Sequence, residues 1–198
     1  MPGKRKENPI TVKPEIYIII AFAMFLLPLP WILAWVTACV FHEFFHYCAL
    51  KLCKCRVNRI LVSVNGAIMD TEQLSYEKEA ICAVAGPLAG FLLLIFARWL
   101  PRVAICGFLQ SIYNLIPVFP MDGGRTLRSI TRKYFDLAIA DRICGWTERI
   151  FLGVLCCICL YCSFVYSLGP IPVIWLSILI IKNKFINRPC KDSLLRVQ

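Results

Sequence analysis

Trp31–Leu50 reads WILAWVTACVFHEFFHYCAL, an apolar run that carries His42, Glu43 and His46 near its end. It is long enough for a bilayer-spanning helix, which needs about 20 residues. Three polar groups at membrane depth cost several kcal/mol unless something compensates them. The rest of the chain fits a bilayer setting. Of 198 residues, 59% are hydrophobic and 17% charged, and the mean hydropathy is +0.69. Soluble domains run at about 45–50% apolar and about 25% charged, and a soluble protein of this size has too much surface to hide the excess. Disulfide scaffolds and disordered chains are excluded by length and by hydrophobicity.

Working outward, charge-free runs cover Ile16–Phe41, Ala80–Ala97, Val103–Met121 and Ile150–Ile181. The first apolar zone continues to Leu50 and must break at Pro28-Leu29-Pro30, where proline removes amide donors. The last run breaks at Gly169-Pro170-Ile171-Pro172, its second half being short unless Lys182 and Lys184 snorkel. The expected fold class is an all-α polytopic membrane protein of about six transmembrane helices, with a short cytoplasmic β-hairpin after the second. That hairpin is read from Arg59–Met69 (RILVSVNGAIM), β-branched and alternating, with Asn65-Gly66 as its turn. A polar loop over Arg125–Arg149 is expected to hold a helix around Tyr134–Arg142.

With six spans, 20 of the 22 Lys and Arg fall on one side, leaving Arg98 and Arg102 on the other. Basic loops stay cytoplasmic, so the N- and C-termini are expected there. Topology and attraction to anionic lipid then account for the net charge of +10. Nucleic acid is excluded as a partner, since no basic helix or aromatic platform accompanies the charge. No cleavable signal is evident. Most of the 12 cysteines fall in predicted spans, where a thiol is a small apolar group. Cys53-Lys54-Cys55 and Cys159-x-x-Cys162 read as structural filler. Cys39, one turn before His42, is the exception that faces toward the polar triplet.

His42 and His46 are the only histidines of the chain. Four apart on a helix, they share a face and reach one ion, while Glu43, about 100° round, can hold a water beside that ion without being a ligand. A buried histidine pair that merely packs helices leaves the desolvation uncompensated, whereas zinc compensates it. A catalytic zinc takes three protein ligands, so a third is required. Asp122 is the best candidate: it ends the fourth span, in NLIPVFPMDGGR (Asn114–Arg125), where Pro117 and Pro120 prevent regular helix and Gly123-Gly124 permits a sharp turn. Asp70, Glu72 and Glu148 are weaker rivals.

His42–His46 and Asn114–Gly124, with Ala85-Gly86-Pro87-Leu88, resemble the site-2 protease family of intramembrane zinc metalloproteases. The layout is most similar to its stage IV sporulation protein FB branch. The resemblance implies one Zn2+ on His42, His46 and Asp122, with Glu43 as general base. It also implies substrate contacts at Asn114, Pro117 and Pro120. Of the paired glycines common in the family's hairpin, Gly66 alone is present. The implied organisation is a cytoplasmic segment over 1–15, an intramembrane protease domain over 16–185 and a cytoplasmic tail over 186–198 without a nucleotide-sensing CBS domain.

The activity so implied is endoproteolysis of a membrane-tethered protein near its cytoplasmic boundary, releasing a transcription factor such as a sporulation sigma-factor precursor. Membrane-bound inhibitory or activating proteins would be its partners. Its location would be the cell membrane or the membrane around the forespore. The Arg59–Met69 hairpin offers a place for an extended substrate to add as a strand. A metal-ion transporter also places His and Glu in spans but repeats them along several helices. A catalytically silent scaffold would keep the fold and lose the ligands, and here all four positions are intact. Cleavage that phenanthroline blocks and zinc restores separates the three.

Overall fold

Pro28 and Pro30 break the first apolar zone where proline chemistry requires it. In the computed structural model, helix α1 (Glu15–Leu26) stops before them and α2 (Leu29–Leu52) starts between them, with Pro30 in the first turn where no amide donor is needed. The structure describes residues 10–63, 66–71, 74–165, 169, 173–174, 176–178 and 180–181. The chain divides into two units, Met1–Leu115 and Ile116–Gln198.

The first unit contains strand β1 (Ile10–Val12), α1, α2, the hairpin β2 (Val57–Ser63) and β3 (Gly66–Thr71), α3 (Tyr76–Leu93) and α4 (Pro101–Leu115). Its core is the packing of α2, α3 and α4. Small residues bring α3 and α4 together: a Cβ on Gly90 would fall on Ser111 Oγ and the Gly107 carbonyl oxygen, so only glycine permits this approach. Ser111 Oγ donates to the Pro87 carbonyl at 2.7 Å, fully buried. Outward-facing side chains are apolar, with Phe22 and Phe25 at 65% and 87% exposure, as a lipid-facing surface requires.

The expected hairpin is present and belongs to a larger sheet. Its order is β1-β2-β3, with β1 parallel and β3 antiparallel to β2. Gly66 pairs with Ser63 and opens β3, so it belongs to the strand. A small apolar cluster of Ala49, Leu50 and Cys82, with Val57 and Met69 packed on it, ties the end of α2 and the start of α3 to the hairpin.

The second unit contains α5 (Asp122–Tyr134) and α6 (Leu137–Val165). Two corrections arise here. Asp122 begins a helix instead of ending a span, and Gly123 and Gly124 are helical. The backbone approach explains the second glycine, since a Cβ on Gly124 would lie 2.6 Å from Phe119 N. The helix expected around Tyr134–Arg142 is interrupted, because Phe135 is extended (φ −128°, ψ 156°) before α6 restarts. Arg132 bridges the break through a 2.9 Å contact with Asp141.

Among the described residues, three helices are long and apolar enough to cross a membrane: Leu29–Leu52, Tyr76–Phe96 and Leu137–Val165. Helix α1 is apolar but has 12 residues, and α4 has 15, or about 22 Å at 1.5 Å per residue. The sixth expected span, after Gly169, and the C-terminal tail fall largely or wholly outside the described residues.

Candidate metal centre

A metal site at membrane depth needs donors that converge and a scaffold that stops them turning away. Helix α2 supplies the first. His42 and His46 lie one turn apart, and their Nε2 atoms are 3.1 Å from each other, with ring planes at 82°. Two nitrogens bound to a tetrahedral zinc at about 2.0–2.1 Å sit about 3.3 Å apart. The observed spacing matches that edge.

Helix α3 supplies the second. The Cys82 carbonyl oxygen lies 2.7 Å from His46 Nδ1. A carbonyl only accepts, so Nδ1 is the donor there, and Nε2 is the ring nitrogen turned toward His42. Gly86, one turn further along, lets α3 lie directly against both rings. A Cβ there would fall on His46 Nε2 and stand 2.7 Å from His42 Cε1. Helix α4 closes a third side, with Asn114 Nδ2 3.4 Å from His42 Nε2. His42 is 4% exposed, and Glu43, His46 and Asn114 are half-buried. The two imidazoles, Glu43 and Asn114 therefore occupy one locus of the first unit.

Asp122 belongs to the second unit. It is 8% exposed in the first turn of α5, where the positive end of the helix dipole favours a carboxylate. Arg125 Nη1 stands 3.9 Å from its Oδ1. Pro117 and Pro120 lie in the turns that precede it, half-buried, around the buried Val118. Of the rival carboxylates, Asp70 is exposed on β3, Glu148 lines a small cleft with Arg128 and Cys144, and Glu72 lies outside the described residues. Gly66 is part of the hairpin.

Two elements of the site escaped the sequence reading. The Cys82 carbonyl left no signal, because any residue type supplies one. Gly86 was visible within Ala85-Gly86-Pro87-Leu88, but its closeness to the imidazoles depends on how α3 crosses α2. Cys39 does turn toward the triplet, lying near Glu43 and the Gln110 side chain.

The fold is that of a site-2 protease. The solved site-2 protease from Methanocaldococcus jannaschii superposes with a TM-score of 0.60 over 95% of each chain, at 21% identity. A zinc metalloprotease of the same organism is 30% identical over 118 residues, 52% of this chain and 35% of that protein. The chain thus spans about a third of the length of the curated relative it matches. No protein-family model matches the chain.

Proposed function

We propose that this chain is a zinc-dependent intramembrane endopeptidase. The observation that carries the reading is the convergence of His42 and His46 Nε2 atoms at 3.1 Å, with His46 held by a backbone carbonyl and Glu43 between them. With Asp122 as the third donor, His42 and His46 would make a set suited to a single zinc ion by the chemistry of the donors. Bound there, zinc would supply Lewis acidity, polarising a carbonyl and lowering the pKa of water. Glu43 takes the proton from the attacking water and returns it to the departing amine. Asn114, beside His42, holds substrate backbone, and Pro117 and Pro120 keep the following chain out of helix so that it lines the approach. The outer edge of β3 pairs with no other strand among the described residues, so an extended substrate segment can add there, near Gly66.

The reading extends to where substrates are cut. His42 precedes Lys51 by nine residues, roughly 13 Å of helix. With both termini cytoplasmic, the site lies near the cytoplasmic boundary of the bilayer. A cut there frees a cytosolic fragment, and a membrane-tethered transcription factor of the sporulation sigma-factor type is the substrate class proposed. The test is cleavage of a tethered reporter by purified protein in liposomes, blocked by phenanthroline and restored by added zinc. The product's new terminus, read by mass spectrometry, is expected on the cytoplasmic side. Cleavage insensitive to phenanthroline, or a cut on the opposite side, would overturn the proposal.

A further inference from the structure

Helix α4 carries two carboxamides one turn apart, Gln110 and Asn114. Asn114 reaches His42. Gln110, one turn back along α4, lies near Cys39, which precedes Glu43 by one turn on α2. The pair therefore runs alongside the catalytic turn of α2. Gln110 Oε1 is buried and has no hydrogen-bond partner among the described residues. In a span, where water does not reach freely, such an acceptor is costly, and leucine would fill the same volume without that cost. The amide oxygen is thus a spare acceptor.

An unwound substrate has the opposite deficit. Once its helix opens, backbone N–H groups lose their acceptors, and those on one edge of an extended chain recur every two residues, about 6.6 Å apart. Residues four apart on a helix are displaced by about 6 Å along its axis. Two carboxamides at that spacing match the edge of an extended strand, each offering the donor and acceptor of a peptide group.

We propose that Gln110 is a substrate-positioning residue whose side-chain oxygen accepts a backbone N–H of the unwound substrate, in series with Asn114, so that the scissile segment lies parallel to α4 past Glu43. This rests on the protease reading.

The test is a double-mutant cycle with a labelled single-span peptide that the wild-type protein cleaves. Binding is measured to full-length Glu43→Gln protein, where no turnover occurs, with and without Gln110→Leu. Backbone esters, which lack the N–H, are placed singly at positions flanking the cut. One hydrogen bond lost predicts about tenfold weaker binding for Gln110→Leu, with zinc content and thermal stability unchanged. One ester should weaken binding equally in the Gln110-containing protein and cost nothing further in the Gln110→Leu protein. Gln110→Met serves if the leucine variant does not fold. Unchanged binding by a folded, zinc-loaded apolar variant would overturn the role of Gln110, as would esters that cost the same in both proteins. Wild-type protein that binds zinc yet cuts no peptide would instead overturn the protease reading, and this proposal with it.

Discussion

A neutral imidazole becomes a directed ligand only when its second nitrogen is held, and the Cys82 carbonyl does this for His46. Gly86 makes that contact possible by letting α3 lie against the rings. Gly86→Ala should therefore push His46 aside and lower zinc affinity by roughly 10- to 100-fold, as loss of a supporting partner does; a competition titration with a fluorescent chelator measures it. Asp122→Ala should lose zinc under conditions where Asp70→Ala, at an exposed strand position, retains it. Equal zinc binding by the Asp122→Ala and Asp70→Ala proteins would mean that another group completes the site. At this scale the sequence was most legible where spacing alone set geometry, as for His42 and His46. Backbone groups such as the Cys82 carbonyl, and partners on other helices such as Gln110, depend on helix crossings that no local pattern encodes.

The helices are held by how closely they cross. Gly90 and Gly107 let α3 and α4 approach closely, with the Ser111 and Leu93 side chains packed at the crossing. Gly90→Ala should force the helices apart and cost about 1–3 kcal/mol, the usual range for overpacking. A lower midpoint of unfolding in detergent, with zinc lost only as the helices separate, is the expected reading. Element boundaries were legible where a residue has one strong meaning. Pro28 and Pro30 mark the α1–α2 break because two prolines in three residues remove the amide donors that a continuous helix needs there, whereas the single Pro87 is carried within α3. Gly123-Gly124 misled, since the pair reads as a turn and is in fact helical, with Gly124 kept small by the Phe119 backbone. Strand β1 was invisible because three residues beside Lys13 and Pro14 show no period; it exists through parallel pairing with Ile60–Val62.

For the molecule as a whole, the distribution of basic residues carries the expected orientation. Twenty of 22 Lys and Arg lie in the N-terminal segment, in 51–79, in 122–149 and in the C-terminal segment. The expectation is that a single cysteine placed near Arg128, on a background without other cysteines, is labelled from the cytoplasmic side; labelling from outside would reverse the orientation. The central claim is that zinc binding and peptide hydrolysis are separable at this site, with the histidines holding the metal and Glu43 moving the proton. The most direct measurement is zinc content alongside cleavage for wild-type and Glu43→Gln proteins purified in parallel. The account predicts one zinc per chain in both and hydrolysis by the wild type alone. Loss of zinc from Glu43→Gln, or cleavage by it at the wild-type rate, would contradict it.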